Sequence, residues 1–178
     1  MNPSAYSSIY KATLLTEVRR RLFEESFSRI RQCLGMLSAE QIWQQPSKVS
    51  NSIGTLVVHV CGNSRQWIVS GLGQRPDQRQ RSTEFSGKQR FSSRELIEML
   101  NTVEKEIEEV LNQLQTEQLL ATYQVQAFRE TGISMLIHVI EHTSYHVGQI
   151  TYLTKWMTDK QTNYYGDIDL ESKNEGPV

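Results

Sequence analysis

Residues 91–114 read FSSRELIEMLNTVEKEIEEVLNQL, and this stretch decides the fold class. Ser92 and Glu95 stand three residues apart, which is the spacing of a capping box at a helix N-terminus. Apolar residues then recur every three or four positions, at Leu96, Met99, Leu100, Val103, Ile107, Val110, Leu111 and Leu114. That period predicts one long helix whose apolar stripe packs against other helices.

Three further segments have the same helical period, and none of the chain shows a strong two-residue alternation typical of a strand. Long helices are predicted over about residues 10–37, 52–70 and 133–157. Pro46 and several Ser and Asn residues separate the first two of these. Four long helices with extended segments between them predict an all-α fold, a four-helix bundle with long crossover connections.

The length of 178 residues is expected to form one domain over residues 1–178. Residues 71–91, GLGQRPDQRQRSTEFSGKQRF, have no apolar period and predict a surface loop. We interpret the basic excess of this loop as solvated charge, and contact with a phosphate or an acidic substrate is the alternative. The polar residues 159–178 are expected to form a partly mobile tail.

The overall charge excludes a strong electrostatic attraction to nucleic acid. The 19 basic and 20 acidic residues leave a formal charge of −1, so no nucleic-acid partner is expected. No apolar stretch reaches the roughly 20 residues that span a bilayer, and the N-terminus lacks the pattern of a secretory signal. We therefore expect no membrane partner and a cytoplasmic protein. The two cysteines, Cys33 and Cys61, do not suggest a disulfide framework.

Histidines border the inward faces of two predicted helices. Three of the four lie in HVIEHTSYHVGQI, residues 138–150, and His59 is in a similar position on the second helix. Two imidazoles one turn apart, with a third from a facing helix, can hold a divalent cation and leave open coordination positions. Helical spacing does not choose between the pairs His138/His142 and His142/His146. Buried histidines that are only hydrogen-bonded remain the alternative.

Two other readings of these segments are not favoured. HVIEH at 138–142 matches the H-x-x-E-H zinc-peptidase motif, with Glu141 as the general base. At about 100° per residue, however, Glu141 projects to the side opposite the apolar arc. Cys61 lies about 200° around the second helix from His59, so we expect it to be neither a ligand nor a nucleophile.

Two segments together resemble the DinB-like/YfiT-like superfamily of bacterial four-helix-bundle proteins. They are NSIGTLVVHVCGNSRQWI at 51–68 and HVIEHTSYHVGQITYLTKW at 138–156. Within this superfamily, the chain looks most like a branch of unassigned function. The resemblance implies a divalent metal ion, zinc or nickel, bound by His59, His142 and His146. It implies that His138 packs beside the ligands.

The resemblance also implies a class of reaction. Some members of the superfamily look like metal-dependent transferases that use a low-molecular-weight thiol, so a small-molecule substrate or thiol is the expected partner. A non-catalytic, metal-stabilised binding or scaffold protein is the main alternative, and a metal-dependent hydrolase is a further one. Three polar residues could orient ligands or substrate: Asn63, Gln66 and Gln149. Several aromatic residues could line a pocket or the contact of a homodimer: Trp67, Tyr152, Trp156, Tyr164 and Tyr165.

Overall fold

The computed structural model of the chain describes residues 3–87 and 90–173. Helix α1 runs as an α-helix over Pro3–Arg19, as a π-helix over Arg20–Phe27 and again as an α-helix over Ser28–Met36. Helix α3 is an α-helix over Ile53–Ser64 that continues as a π-helix over Arg65–Leu72. The other helices are α2 (Ala39–Trp43), α4 (Arg81–Glu84), α5 (Ser93–Gln113), α6 (Thr116–Leu120) and α7 (Gly132–Thr158). A hairpin of β1 (Thr122–Val125) and β2 (Phe128–Thr131) precedes α7.

The four long helices α1, α3, α5 and α7 confirm the predicted four-helix fold. Their apolar faces form a shared core that also takes in residues of the short helices and of β1. Within the described residues, no helix combines the length and the apolar character needed to cross a membrane. Residues 1–2, residues 88–89 of the predicted loop and residues 174–178 of the predicted tail lie outside the described part of the chain.

The helix starts follow the capping chemistry expected from the sequence. Ser92 and Glu95 form the capping box of α5, in which Ser92 Oγ accepts from Glu95 N at 3.3 Å and Glu95 Oε2 accepts from Ser92 N at 2.7 Å. Ser52 caps α3, and Thr131 caps α7 by accepting from Ser134 N at 3.2 Å. These caps fix where α3 and α7 begin, and these two helices carry all the histidines.

The packing of α2 on α3 depends on a glycine. Trp43 donates from Nε1 to the carbonyl of Phe91 at 2.9 Å, which fixes its indole ring over α3. A Cβ on Gly54 would lie 2.8 Å from atoms of that ring, so no larger residue fits beneath it without a shift.

The expectation that the chain lacks strands is corrected by the hairpin. Thr122 pairs with Thr131 and Val125 with Phe128 in an antiparallel register. Each strand has four residues and Val125 alone among them is buried, so neither could show the alternation that marks a longer half-buried strand. The predicted loop 71–91 is also shorter than expected, since residues 71–72 end α3 and residues 81–84 form α4.

Candidate metal centre

Helices α3 and α7 bring three histidines together. The Nε2 atoms of His59 and His142 are 3.1 Å apart, and those of His142 and His146 are 3.3 Å apart. One nitrogen from each ring lies within 4.8 Å of the others. His59 is only 6% exposed and His146 only 9%. The structure therefore gathers the three residues that the resemblance implied as ligands.

The spacing of these nitrogens suits a metal ion. A tetrahedral ion bound at about 2.0–2.1 Å holds its ligand nitrogens about 3.3–3.4 Å apart. The separations His59–His142 and His142–His146, 3.1 and 3.3 Å, fall close to that value. The donor set of three imidazoles fits zinc and nickel, which both accept nitrogen ligands.

A buried ion pair fixes the orientation of His59. Its Nδ1 lies 2.8 Å from Oε2 of Glu84, and the same carboxylate accepts from Arg79 Nε at 2.7 Å and from Arg79 Nη2 at 2.9 Å. The side chains of Arg79 and Glu84 are 6% and 7% exposed. Arg79 Nη2 is also 3.2 Å from His59 Nδ1, because both nitrogens approach one carboxylate oxygen.

Glu84 also decides the tautomer of His59. Burial alone would raise the pKa of Glu84, but the hydrogen bonds from His59 and Arg79 outweigh it and lower that pKa. An ionised carboxylate can only accept, so Nδ1 of His59 carries the hydrogen. The lone pair of His59 Nε2 is then directed to the other two histidines. A carboxylate in this role makes the imidazole a better metal ligand.

Gln149 plays the matching role for His146. Its Oε1 lies 2.7 Å from His146 Nδ1, so the amide oxygen accepts the Nδ1 hydrogen and leaves Nε2 free to bind. Burial lowers the pKa of His146 despite this hydrogen bond, which favours the neutral ring. The contact expected of Gln149 from the sequence is therefore present.

His142 lies between the other two rings and is kept neutral. Burial lowers its pKa to about 3, with further contributions from the neighbouring His146 and His59. Nε2 of His59 and Nε2 of His146 both present lone pairs to His142. Nε2 of His142 carries at most one hydrogen, so it cannot make a full hydrogen bond to each of them. A cation would satisfy all three nitrogens at once, so the residues present fit a metal ion.

The two helices that carry the histidines also carry several buried polar atoms without a hydrogen-bond partner among the described residues. All of them lie on α3 or α7: Asn63 Oδ1, Ser64 Oγ, Trp67 Nε1, His138 Nε2, His142 Nδ1 and Thr143 Oγ1. His138 stacks on the Trp67 indole, with ring centroids 3.7 Å apart, and is outside the three-histidine cluster. Asn63, one turn after His59, does not show the ligand-orienting bond expected of it.

The sequence interpretation missed Arg79 and Glu84. It placed both in a solvated surface loop, and the structure corrects this, since α4 and the preceding residues fold back over α3. Gln66, expected to orient ligands, instead holds this segment by accepting from Arg79 Nη1 at 2.8 Å and donating to Asp77 Oδ2 at 2.7 Å. The one feature of the sequence that could have indicated this ion pair is the spacing of Arg79 and Glu84, two opposite charges five residues apart.

The residues that the sequence interpretation rejected also lie away from the three nitrogens. Glu141 is exposed, and no described contact joins its carboxylate to His142. Cys61 lines a cavity of about 600 Å³ together with Arg79 and Glu84 but with none of the three histidines, and burial raises the pKa of its thiol to about 12. Neither the peptidase reading nor a cysteine ligand is supported.

Fold and site together define a helical protein with a DinB-like fold and a candidate three-histidine metal site. The solved structures with this fold include a DinB-like protein from Bacillus subtilis, with a TM-score of 0.62 and 17% identity over 84% of this chain and 94% of that one. The sequence model of the family described as "Protein of unknown function (DUF1572)" matches residues 11–166, and the chain belongs to that family.

Two further crystal structures have the same fold. A DinB-like protein from Bacillus cereus has a TM-score of 0.61 and 17% identity over 76% of this chain and 87% of that one. A conserved protein from Enterococcus faecalis has a TM-score of 0.63 and 16% identity over 90% of this chain and 99% of that one. At such identities the likeness establishes the fold alone. No curated protein matches the chain significantly.

Proposed function

We propose that the protein binds one divalent metal ion, zinc or nickel, through Nε2 of His59, His142 and His146. We further propose that it is a metal-dependent transferase for a low-molecular-weight thiol. The observation that carries the proposal is the convergence of three Nε2 atoms while the Nδ1 atoms of His59 and His146 are held by Glu84 and Gln149.

A three-histidine set favours a catalytic over a closed structural role. Structural zinc sites are filled by four protein ligands, whereas catalytic sites keep a position for solvent or substrate. His142 is partly exposed, whereas His59 and His146 are buried, so the cluster meets the surface at His142. The rings of Phe85 and Tyr145 lie about 5 Å from those of His59 and His146 and are themselves 37% and 65% exposed.

The role of Glu84 favours thiol transfer over hydrolysis. Metal-assisted hydrolysis commonly uses a protein carboxylate as general base, as in the zinc peptidases. Glu84 is the carboxylate that contacts the histidines among the described residues, and it is already engaged by His59 and Arg79. A bound divalent cation lowers the pKa of a coordinated thiol and so supplies a thiolate nucleophile without a protein base.

The test compares thiols on metal-loaded protein. Tag-free protein loaded with zinc or with nickel is mixed with cysteine, glutathione or coenzyme A and a chromogenic electrophile, and thioether formation is followed. We expect one thiol to react faster than the uncatalysed rate, and His142→Ala to lose that activity while keeping its helical circular dichroism. Loss of thermal stability on chelation, without turnover of any thiol or ester, would instead support the scaffold alternative.

A further inference from the structure

The turn of the β1–β2 hairpin contacts the side chains that lie behind the histidines. Gln126 is the first residue of this two-residue turn. Its Nε2 donates to Gln66 Oε1 at 2.7 Å, and the same oxygen accepts from Arg79 Nη1 at 2.8 Å. Gln66 therefore joins the hairpin to the ion pair that orients His59.

The neighbours of the Gln66 amide fix its orientation. Arg79 can only donate, so the amide oxygen faces it, and the amide nitrogen donates to Asp77 Oδ2 at 2.7 Å. Gln66 is 8% exposed, and a buried amide with these partners cannot turn over without losing both hydrogen bonds. Gln126 supplies the second donor that a carbonyl oxygen can accept, and so holds the amide from the side of the hairpin.

The backbone of Gln126 gives an independent reason to assign a role to its side chain. Its φ is +51°, in the left-handed region that favours glycine. Glycine is also the usual residue at the first position of a two-residue turn in which only the first φ is positive. Backbone strain of this kind is found where a side chain is needed for function, and the bond to Gln66 is a use that the structure shows.

Two close approaches keep the hairpin, α3 and the segment before α4 in direct contact. A Cβ on Gly71 would lie 2.8 Å from Cγ2 of Val125, so β1 packs directly on the π-helical end of α3. A Cβ on Gly62 would overlap Oε1 of Glu84, so this carboxylate also lies against the α3 backbone. A change in the position of the hairpin is therefore felt at Glu84.

We propose that Gln126 is a positioning residue of the metal centre. Through Gln66 it holds the guanidinium of Arg79, which in turn holds Glu84 against Nδ1 of His59. The inference rests on the proposed metal function, although the hydrogen bonds that carry it need no metal. Loss of a residue that holds a metal ligand typically weakens metal binding about 10–100-fold. Three side chains separate Gln126 from His59, so its loss should weaken binding less, by about 3–10-fold.

Gln126→Gly separates this role from a role in folding. It relieves the left-handed backbone and removes the side chain, so the urea midpoint of the metal-free protein should not fall, whereas the dissociation constant for zinc should rise about 3–10-fold. Gln74→Gly is the matched control. Gln74 also has a positive φ, of +54°, but its side chain donates to the carbonyl of Gly71, so this variant should bind zinc within about twofold of the wild type. An unchanged affinity in Gln126→Gly, a loss accompanied by a lower urea midpoint, or an equal loss in both variants overturns the inference.

Proton NMR of the metal-free protein tests the inference without metal binding. The hydrogen on Nδ1 of His59 should give a downfield signal that is protected from exchange, because the ring is buried and bonded to Glu84. His59→Gln assigns this signal. Gln126→Gly should shift or weaken it and Gln74→Gly should not; a signal that Gln126→Gly leaves unchanged overturns the inference. If the wild type gives the signal but binds no zinc, the proposed function fails and the response of the signal alone decides this inference.

A double variant tests the route through Gln66. Gln66→Met removes the amide that Gln126 contacts and keeps a side chain of similar length. If Gln126 acts through Gln66, then Gln126→Gly should change zinc affinity by less than about twofold in that background. A further loss of about 3–10-fold there would show that the two residues act separately, which contradicts the proposed role.

Discussion

Glu84→Gln removes the charge that joins His59 to Arg79 and leaves the shape of the side chain almost unchanged. In the native protein, Glu84 accepts two hydrogen bonds from Arg79 and one from His59, and both members of the ion pair are less than a tenth exposed. The substitution leaves the buried guanidinium of Arg79 without its carboxylate. We expect this to lower both the stability of the metal-free protein and the affinity for metal.

The two effects have different sizes and causes. Removing one partner of a buried ion pair typically costs about 3–5 kcal/mol, a large part of the roughly 5–15 kcal/mol that stabilises a folded protein. Replacing both partners removes the unpaired charge, so Arg79→Met/Glu84→Gln should be about 2 kcal/mol more stable than the single variant. The affinity for metal should fall about 10–100-fold in the single and in the double variant, because His59 loses its carboxylate partner in each of them.

Urea unfolding with a chelator measures the first effect, and competition with a chromogenic chelator measures the second. Glu109→Gln is the matched control. Its ion pair with Arg75 is 3.1 Å long, but the side chains of Arg75 and Glu109 are 38% and 45% exposed, so the pair should contribute less than about 1 kcal/mol. If Glu84→Gln is no more destabilising than Glu109→Gln, the buried pair does not stabilise the fold as argued. Unchanged metal affinity would show that Glu84 does not support His59 as a ligand.

Three further predictions concern stability. Metal-free protein should become less stable as the pH falls below about 6.5. Burial lowers the native pKa of His142 to about 3, so the unfolded chain binds a proton that the native state excludes. Urea unfolding at several pH values should show this loss of stability, and His142→Gln should reduce it. Gly54→Ala should cost about 1–3 kcal/mol, since its Cβ would lie 2.8 Å from the Trp43 ring; full stability in urea would contradict that packing. Gly35→Ala, where the Cβ meets nothing, should instead raise the free energy of unfolding by up to about 1 kcal/mol.

The long helices could be predicted because their apolar period is local. Ser92 and Glu95 mark the start of α5, and the histidines of α7 fall on one side of a helix whose inward face is clear from the sequence alone. Gln149 was also within reach of sequence reasoning, because residues three apart on a helix are neighbours. The choice of His142 and His146 over His138 came from the family resemblance.

The missing parts of the site depend on contacts between distant segments. Arg79 and Glu84 follow α3 in a segment without apolar period, and only its return over α3 buries them against His59. Asn63 was expected to take part in the site and does not. Its position one turn after His59 suggested a hydrogen bond that orients a ligand, but its Oδ1 has no partner among the described residues. Helical position predicts which face a residue occupies, but not which group it meets there.

Elemental analysis of tag-free protein, followed by X-ray absorption spectroscopy of the bound ion, tests the central claim most directly. We predict one zinc or nickel ion per chain, with three imidazole nitrogens at about 2.0–2.1 Å and one or two further light ligands. His59→Ala and His146→Ala should each lose the ion while their helical circular dichroism is retained. Wild-type protein that stays free of metal after incubation with zinc and with nickel would contradict the account.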